Sequence, residues 1–385
     1  MADEGRLIKS VLTLTLDLPP SCIEFCPAYP DYFVVGTYDL QKESTAQANE
    51  NQDTTSQQPQ TRNGSLILFR LVEDEIKHIQ TLTQPSAILD VHFHPSKTDV
   101  LAVVNSTGMV SFLKLASSSG ASVPCLAELG AHRPLGDRQD VLILSCCWHP
   151  SIHDIIAITT SSNDVHVLQL DDAWNIRPGE SLIHSHEDQA WAAAFAPFLG
   201  DPADSKLVQV LSGGDDFKLL ASTYEYNTGD DWSAPEGTRQ IGRHNYGVTA
   251  ILPLHTNQET QEFLLLTGSY DDHIRVYAVG SAPRLLAKLD LGGGVWRLKV
   301  IHLKTEANTN GEWTATILAS CMYAGTRIVK LAGDWYRCKI EVLFRFEEHE
   351  SMNYGSDLQA GEDGKAVRII STSFYDRRLC LWDFS

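Results

Sequence analysis

One short segment of the chain carries three side chains that could carry out hydrolytic chemistry together. His349, Glu350 and Ser351 are consecutive within EEHESMNYGSD, residues 347–357. A histidine can act as a general base or acid, and a neighbouring carboxylate can orient it. A water molecule or a serine hydroxyl can then act as the nucleophile. The segment therefore predicts a candidate catalytic group of His349, Glu350 and Ser351.

The sequence contains no ready-made catalytic or metal motif. It has neither a G-x-S-x-G nucleophile elbow nor an H-E-x-x-H zinc motif. His184 and His186 form an H-x-H pair beside Glu187 with no further ligand in view, which favours a polar loop over a metal site. The eight cysteines lack paired zinc-ligand spacing and are expected to be reduced thiols. We therefore expect no metal and no cofactor, and a catalytic site assembled from distant parts of the chain.

The charge of the chain limits its partners. It has 49 acidic and 30 basic residues among 385, a net charge of −19. Such a chain repels phosphate backbones, so we expect no nucleic-acid partner, and it favours cationic groups or basic protein surfaces. No apolar stretch is long enough to span a bilayer, and the N-terminus lacks the pattern of a secretory signal. We expect a cytoplasmic monomer without a membrane partner.

A repeat of short strands organises the whole chain. Runs rich in Val, Ile, Leu, Phe and Thr are bounded by Gly, Asp, Asn, Ser and Pro, and the units recur about every 45 to 65 residues. In the two clearest units an Asp stands six positions before an aromatic residue: Asp271 before Tyr277, and Asp376 before Trp382. Seven units, each with an inner strand, can be counted. The pattern predicts an all-β fold, a seven-bladed WD40-type β-propeller.

Both ends of the chain bear on how the ring closes. The last unit ends on its third strand, and residues 7–18 precede the first inner strand without a blade of their own. We expect residues 7–18 to supply the outer strand of the last blade, because closure leaves no long unpaired edge. Residues 41–63 are polar and of low complexity, and are expected to form a disordered loop. The remaining loops are short, so residues 1–385 are predicted to be one propeller domain.

This fold offers His349 a structural interpretation as well. WD repeats often place a histidine before the inner strand, bonded to the Asp of a turn and a Ser of a strand. In the last blade the partners of His349 would be Asp376, Ser373 and Trp382. Both interpretations of His349 remain open at this point, and the structural one is the more frequent in such repeats.

Blades four and five raise the same alternative. His244 would pair with Asp271 and Ser269, and we favour a structural role for it. Asp215 and Asp216 fall in the turn of the preceding unit, where aspartates commonly bond their own backbone. We therefore expect both of them to be turn residues.

Several segments resemble one particular family more closely than they resemble the general repeat. They lie between residues 247 and 384: GVTAI, LLTGSYDDHIRVY, LGGGVWRLK, ASCMYAGTRI, EEHESMNYGSD and STSFYDRRLCLWDF. Together they are similar to the WD-repeat diphthine methylesterases (the diphthine methyltransferase family) of diphthamide biosynthesis. The resemblance implies hydrolysis of a methyl ester from methylated diphthine, a modified histidine of translation elongation factor 2. A non-catalytic propeller that docks the elongation factor or its modifying enzymes is the alternative.

The implied substrate carries a trimethylammonium group, which aromatic faces bind well. Aromatic and polar residues at strand starts and turns of the last two blades are therefore candidate substrate-binding residues, although inter-blade packing would also explain Trp296. They are Trp296, Arg297, Tyr323, Asn353 and Tyr354.

Overall fold

The computed structural model describes residues 5–40, 62–117, 123–179, 181–199, 207–226, 237–305, 311–359 and 367–384. These residues form β-strands joined by turns and loops, and no α-helix occurs among them. Within these ranges, accordingly, no helix is long and apolar enough to cross a membrane. The predicted all-β class is confirmed.

The N-terminal half of the chain forms two short opening strands and three blades. The opening strands are β1 (Arg6–Ile8) and β2 (Leu12–Thr15). Blade one contains β3 (Pro20–Phe25), β4 (Tyr32–Thr37), the two-residue β5 (Asp39–Leu40), β6 (Arg62–Val72) and β7 (Glu75–Gln84). Blade two contains β8 (Ile88–Phe93), β9 (Val100–Asn105), β10 (Val110–Ala116) and β11 (Cys125–His132). Blade three contains β12 (Ile143–Trp148), β13 (Ile155–Thr160), β14 (Asp164–Gln169) and β15 (Leu182–Ser185).

The C-terminal half forms the other four blades. Blade four contains β16 (Ala190–Phe195), β17 (Leu207–Gly214), β18 (Lys218–Glu225) and β19 (Thr238–Arg243). Blade five contains β20 (Val248–Asn257), β21 (Glu262–Ser269), β22 (His273–Val279) and β23 (Arg284–Asp290). Blade six contains β24 (Arg297–Thr305), β25 (Trp313–Ser320), β26 (Thr326–Gly333) and β27 (Cys338–Phe346). Blade seven contains β28 (Gly355–Leu358), β29 (Val367–Thr372) and β30 (Arg378–Phe384), completed by β2.

Packing between neighbouring blades forms the core. The described residues form seven apolar clusters, and each cluster combines side chains from two adjacent blades. Middle strands such as β22 are therefore buried on both faces, and every residue of β22 after His273 is buried. In outer strands such as β23, partly buried and exposed residues largely alternate, and the strand contains charged side chains. Between blades six and seven, for example, the rings of Phe346 and Trp382 stack with centroids 5.1 Å apart.

The N-terminal strand closes the ring, as predicted, but with a shorter segment. β2 pairs antiparallel with β30, from Leu12 opposite Leu381 to Thr15 opposite Arg378. The expectation that closure begins at residue 7 is wrong, because β1 instead runs parallel to β27 at the edge of blade six. The intervening residues thus cross from one blade to the next.

The polar insertion of blade one is anchored by a short β-ladder. Arg62 and Asn63 pair with Leu40 and Asp39, so they belong to a strand rather than to the loop expected at residues 41–63. The rest of that segment, residues 41–61, lies outside the described residues.

Candidate functional site

His349 lies inside blade seven, where it makes structural contacts. Its Nε2 and the hydroxyl of Ser371 are 2.7 Å apart, and the indole N–H of Trp382 donates to the same hydroxyl at 3.0 Å. The histidine is only 7% exposed, and burial lowers its pKa to about 4. The expected partner Ser373 is wrong. It lies just beyond the end of β29, whereas the histidine ring reaches Ser371, two residues earlier and inside the strand.

Glu350 and Ser351 are not directed at His349. The Glu350 carboxylate pairs with Arg378, and its backbone N–H donates to Asp376 at 3.0 Å. The hydroxyl of Ser351 donates to the other oxygen of Asp376 at 2.9 Å. The structure therefore does not bring His349, Glu350 and Ser351 together as a catalytic group, and the Glu350 carboxylate contacts Arg378 rather than His349.

Blade five repeats this arrangement. His244 is buried, and its Nε2 lies 2.7 Å from the hydroxyl of Thr267. The expected partner Ser269 donates instead to the backbone carbonyl of Tyr246 at 3.2 Å. The carboxylate of Asp271 accepts the backbone N–H of Asn245, which ties the turn to the loop before the inner strand. The favoured structural role of His244 agrees with these contacts.

Blade four contains hydrogen bonds that superficially resemble a hydrolase triad. His186 contacts Ser212 through Nε2 at 2.7 Å and Asp216 through Nδ1 at 2.9 Å, and His184 contacts the same serine. Ser212 is 0% exposed, so no substrate can reach it. The two histidines thus lie in a buried cluster rather than in the polar loop expected from the sequence. No group of potential metal ligands occurs among the described residues.

Two of the predicted substrate-binding residues lie away from any open site. Asn353 is 0% exposed, and its amide donates to the backbone carbonyls of Gly355 and Thr372 at 2.9 and 2.7 Å. Tyr323 is 57% exposed at a turn of blade six, and its hydroxyl donates to Asp272 at 3.2 Å. Asn353 therefore shapes the loop before β28, and Tyr323 joins the turn between β25 and β26 to the corresponding turn of blade five.

A channel runs through the centre of the ring. It has a volume of about 520 Å³ and is lined by inner-strand residues of all seven blades. The inner strands all begin at one end of this channel, which we call the upper mouth. In an antiparallel blade the turn between the second and third strands lies at the same edge as the start of the first strand. The loops before the inner strands and these turns therefore surround the upper mouth together.

An ion pair crosses the channel just below the upper mouth. Arg297, the first residue of β24, places Nη2 and Nη1 at 2.7 and 3.3 Å from the two carboxylate oxygens of Asp90 in blade two. The Asp90 side chain is 1% exposed. Burial raises the pKa of this carboxyl, but Arg297 and His92 outweigh burial and hold the pKa below its usual range. Arg297, predicted to bind substrate, thus has an acidic partner within the protein.

Further down the channel the charges alternate. His92 contacts Asp90 at 3.3 Å and Glu24 at 3.1 Å, and Lys299 contacts Asp357 at 2.6 Å and Glu24 at 3.5 Å. Burial opposes a charge on His92, but the two carboxylates outweigh it and raise its pKa to about 10. Three carboxylates thus face three basic groups, Arg297 included, and this network joins blades one, two, six and seven.

Four aromatic rings form a wall at the upper mouth, which we call the aromatic arc: Trp191, Tyr270, Trp296 and Tyr354. Trp296 is its centre, with ring centroids 5.4 Å from Trp191, 5.8 Å from Tyr270 and 4.9 Å from Tyr354. The rings are tilted by 49° to 63° in these pairs, so they do not stack into a closed block. Trp191, Trp296 and Tyr354 line the channel. The predicted residues Trp296 and Tyr354 are therefore brought together at an open site.

Asp215 adds a carboxylate beside the aromatic arc. It lies in the turn between β17 and β18, half-buried, next to the indole of Trp191 and close to Tyr270. A β-carbon at position 247 would overlap this carboxylate, so Gly247 leaves it room. Burial raises the pKa of Asp215, and the like charge of Asp188 adds to the effect. No cation among the described residues pairs with Asp215.

Sequence reasoning missed Trp191, Tyr270 and Asp215. One signal for Trp191 was present, because it stands at the start of its inner strand as Trp296 and Tyr354 do in blades six and seven. Asp215 was interpreted as a turn residue like its neighbour Asp216, and only the folded ring distinguishes a carboxylate beside the aromatic arc from one that bonds the turn.

Solved structures with this fold are similar to the chain at low sequence identity. Sqt1 from Chaetomium thermophilum, solved bound to the N-terminus of the ribosomal protein L10, superposes with a TM-score of 0.58 at 12% identity, over 98% of this chain and 100% of Sqt1. A second Sqt1 structure gives a TM-score of 0.57 at 12% identity, over 94% of this chain and 82% of the other. The likeness concerns the fold alone, and it supports the predicted seven-bladed WD40-type propeller, which is confirmed.

Curated relatives match the chain over nearly its whole length, although no protein-family model matches it. It is 29% identical over 385 residues to the diphthine methyltransferase of Schizosaccharomyces pombe, covering 100% of this chain and 99% of the relative. It is 26% identical over 404 residues to a diphthine methyltransferase homolog of Dictyostelium discoideum, covering 98% and 99%. The diphthine methyltransferase of Homo sapiens is 26% identical over 367 residues, 90% of this chain and 73% of the relative. The predicted resemblance to the diphthine methyltransferase family is thereby confirmed, and it extends over the whole chain.

Proposed function

We propose that this protein is a carboxylic-ester hydrolase that removes the methyl ester from methylated diphthine on translation elongation factor 2. Its full-length relatives are named for handling a methyl group on diphthine. Hydrolysis of the ester, rather than transfer of the methyl group, is the direction that we propose.

The aromatic arc is the observation that carries this proposal. Methylated diphthine bears a trimethylammonium group, and each aromatic face that such a cation contacts contributes about 0.5–2 kcal/mol. Trp191, Trp296 and Tyr354 line one open cavity, so several faces can act on the same cation. The arrangement suits a quaternary ammonium better than a neutral or anionic group.

The size of the substrate also agrees with a site at the mouth of the channel. A modified side chain on the surface of a large protein can enter a channel mouth, whereas it cannot reach the buried Ser–His pairs of the blades. The net charge of −19 favours approach of a basic protein surface to the ring. We propose that the protein acts as a monomer in the cytoplasm, where elongation factor 2 functions.

A purely binding function is the second candidate. It is favoured by one observation: among the described residues, the Ser–His pairs at Ser212 and Ser371 are buried inside blades. A propeller that only captures the trimethylated side chain would need the aromatic arc but no water-activating group.

One assay separates the two functions. Purified protein is incubated with elongation factor 2 carrying methylated diphthine, without any added methyl acceptor, and the factor is followed by intact mass spectrometry. Hydrolysis predicts the loss of one CH₂ unit with many turnovers per protein molecule, and release of methanol. Stable complex formation without any mass change would establish the binding function instead.

A further inference from the structure

We infer that Asp215 is the general base that activates the hydrolytic water, an inference that rests on the proposed ester hydrolysis. The contacts of the repeat do not use this side chain. The catalytic group then comes from the turn of blade four rather than from the His349 segment of blade seven.

The adjacent aspartate already fulfils the structural role in this turn. Asp216 accepts hydrogen bonds from the backbone N–H groups of Glu187 and Lys218, both at 3.1 Å, and its carboxylate lies 2.9 Å from His186 Nδ1. Asp215 contributes its backbone N–H to the carbonyl of Gln189 at 2.8 Å. Its carboxylate makes none of these turn contacts and lies beside the Trp191 indole, whose N–H partly offsets the effect of burial on the pKa of Asp215.

The surroundings of Asp215 suit a base. The carboxylate lies against the Trp191 indole, and its Oδ1 and the Tyr270 ring both border the space that a β-carbon on Gly247 would occupy. The titratable groups that act on it are Asp188, Asp216 and Tyr270, and none of them is a cation. Half-burial among these groups raises the pKa of Asp215, which makes it a stronger base than a solvated carboxylate.

Other candidate groups near the channel are less suitable. Asp90 is paired with Arg297 through two contacts, so its charge is neutralised. The thiols of Cys22 and Cys147 line the channel, but burial raises the pKa of each to about 12, so neither is a thiolate at neutral pH. His349 is buried within blade seven.

The proposed step balances without any added reagent. The aromatic arc holds the trimethylammonium group, and Asp215 accepts a proton from a water molecule as the water oxygen bonds to the ester carbonyl carbon. The bond between that carbon and the methoxy oxygen then breaks, and protonated Asp215 returns the proton to the leaving methoxide. The products are a carboxylic acid, which ionises in water, and methanol.

Asp215→Asn and Asp215→Ala test this role with full-length protein and modified elongation factor 2. General-base removal predicts a fall in kcat of about 10²- to 10⁴-fold, with little change in the Kd for the factor. Added formate should restore part of the activity of Asp215→Ala. Circular dichroism and thermal unfolding confirm that each variant is folded.

Asp188→Asn provides the matched control, because it removes a neighbouring like charge and leaves the base in place. It should keep its maximal kcat within a few-fold of wild type, because the base is only slightly weakened, while the acidic limb of the pH–rate profile moves to lower pH as the pKa of Asp215 falls. If the wild-type protein hydrolyses the ester and Asp215→Asn retains that rate within a few-fold, the role of Asp215 is overturned while the proposed function stands. A loss of affinity without a loss of kcat would overturn it too, since Asp215 would then be a counter-charge. Absence of wild-type turnover would overturn the proposed function itself.

Discussion

Replacing Trp296, the centre of the aromatic arc, should weaken binding of quaternary ammonium ions. The ring contacts three others at 4.9 to 5.8 Å, so Trp296→Leu removes one aromatic face and the contacts that hold its neighbours. The loss of one cation–π contact is worth about 0.5–2 kcal/mol, which is roughly a 2- to 30-fold increase in Kd. Trp296→Phe keeps a ring at this position and should lose less.

The assay is isothermal titration calorimetry with choline as the probe, alongside its neutral tert-butyl isostere. Wild-type protein should bind choline more tightly than the isostere, because only the cation is attracted to the ring faces. Trp296→Leu should weaken choline binding more than binding of the isostere. An equal loss for both probes, or no loss for choline, would refute a cation cage at this mouth.

Four further predictions concern the ring that positions the site. Arg297→Met leaves the buried Asp90 with His92 as its remaining basic partner and should lower the free energy of unfolding in urea by up to about 3–5 kcal/mol; adding Asp90→Asn should recover part of this loss, and no recovery would contradict the pairing. His349→Ala should lower the unfolding free energy by about 1–3 kcal/mol and keep kcat per folded molecule, whereas a loss of kcat in a well-folded variant would support the predicted catalytic role. Burial lowers the pKa of His349 from 6.5 to about 4, so the unfolded chain takes up the proton first as pH falls. The free energy of unfolding should therefore decline as the pH falls from about 6.5 to about 4. Urea midpoints measured across this range should show that His349→Gln reduces the slope by up to about one proton. Deleting residues 1–15 should lower the thermal midpoint far more than deleting residues 1–8, because only the longer deletion removes β2 and exposes the edge of β30; equal effects would contradict closure by β2.

The fold was largely predictable from local patterns. The Asp-to-aromatic spacing in Asp271–Tyr277 and Asp376–Trp382 marks the turn and the third strand of a blade, and both ends of that pattern lie within one β-hairpin. Finer placement failed where two positions satisfy the same pattern. Ser371 and Ser373 stand on the two sides of the end of β29, and only the position of the histidine ring in the folded blade decides between them.

The candidate site was predictable only in part, for a topological reason. Trp296 and Tyr354 were recognised because their segments resemble a family. Asp90 and Arg297 are 207 residues apart and meet only when the ring closes, so no local spacing in the sequence predicts their contact. Asp215 has the same local sequence environment as Asp216, and the two differ only in the direction that the folded turn gives them.

Oxygen labelling tests the central claim, ester hydrolysis at the channel mouth, most directly. The modified elongation factor is demethylated by this protein in water enriched in heavy oxygen, and the product peptide and methanol are analysed by mass spectrometry. Attack of water on the ester carbonyl predicts one heavy oxygen in the new carboxylate and none in the methanol, with the reaction strongly slowed by Asp215→Ala. An unlabelled carboxylate, with the methyl group found on water or on another acceptor, would show methyl transfer and contradict attack of water on the ester carbonyl carbon.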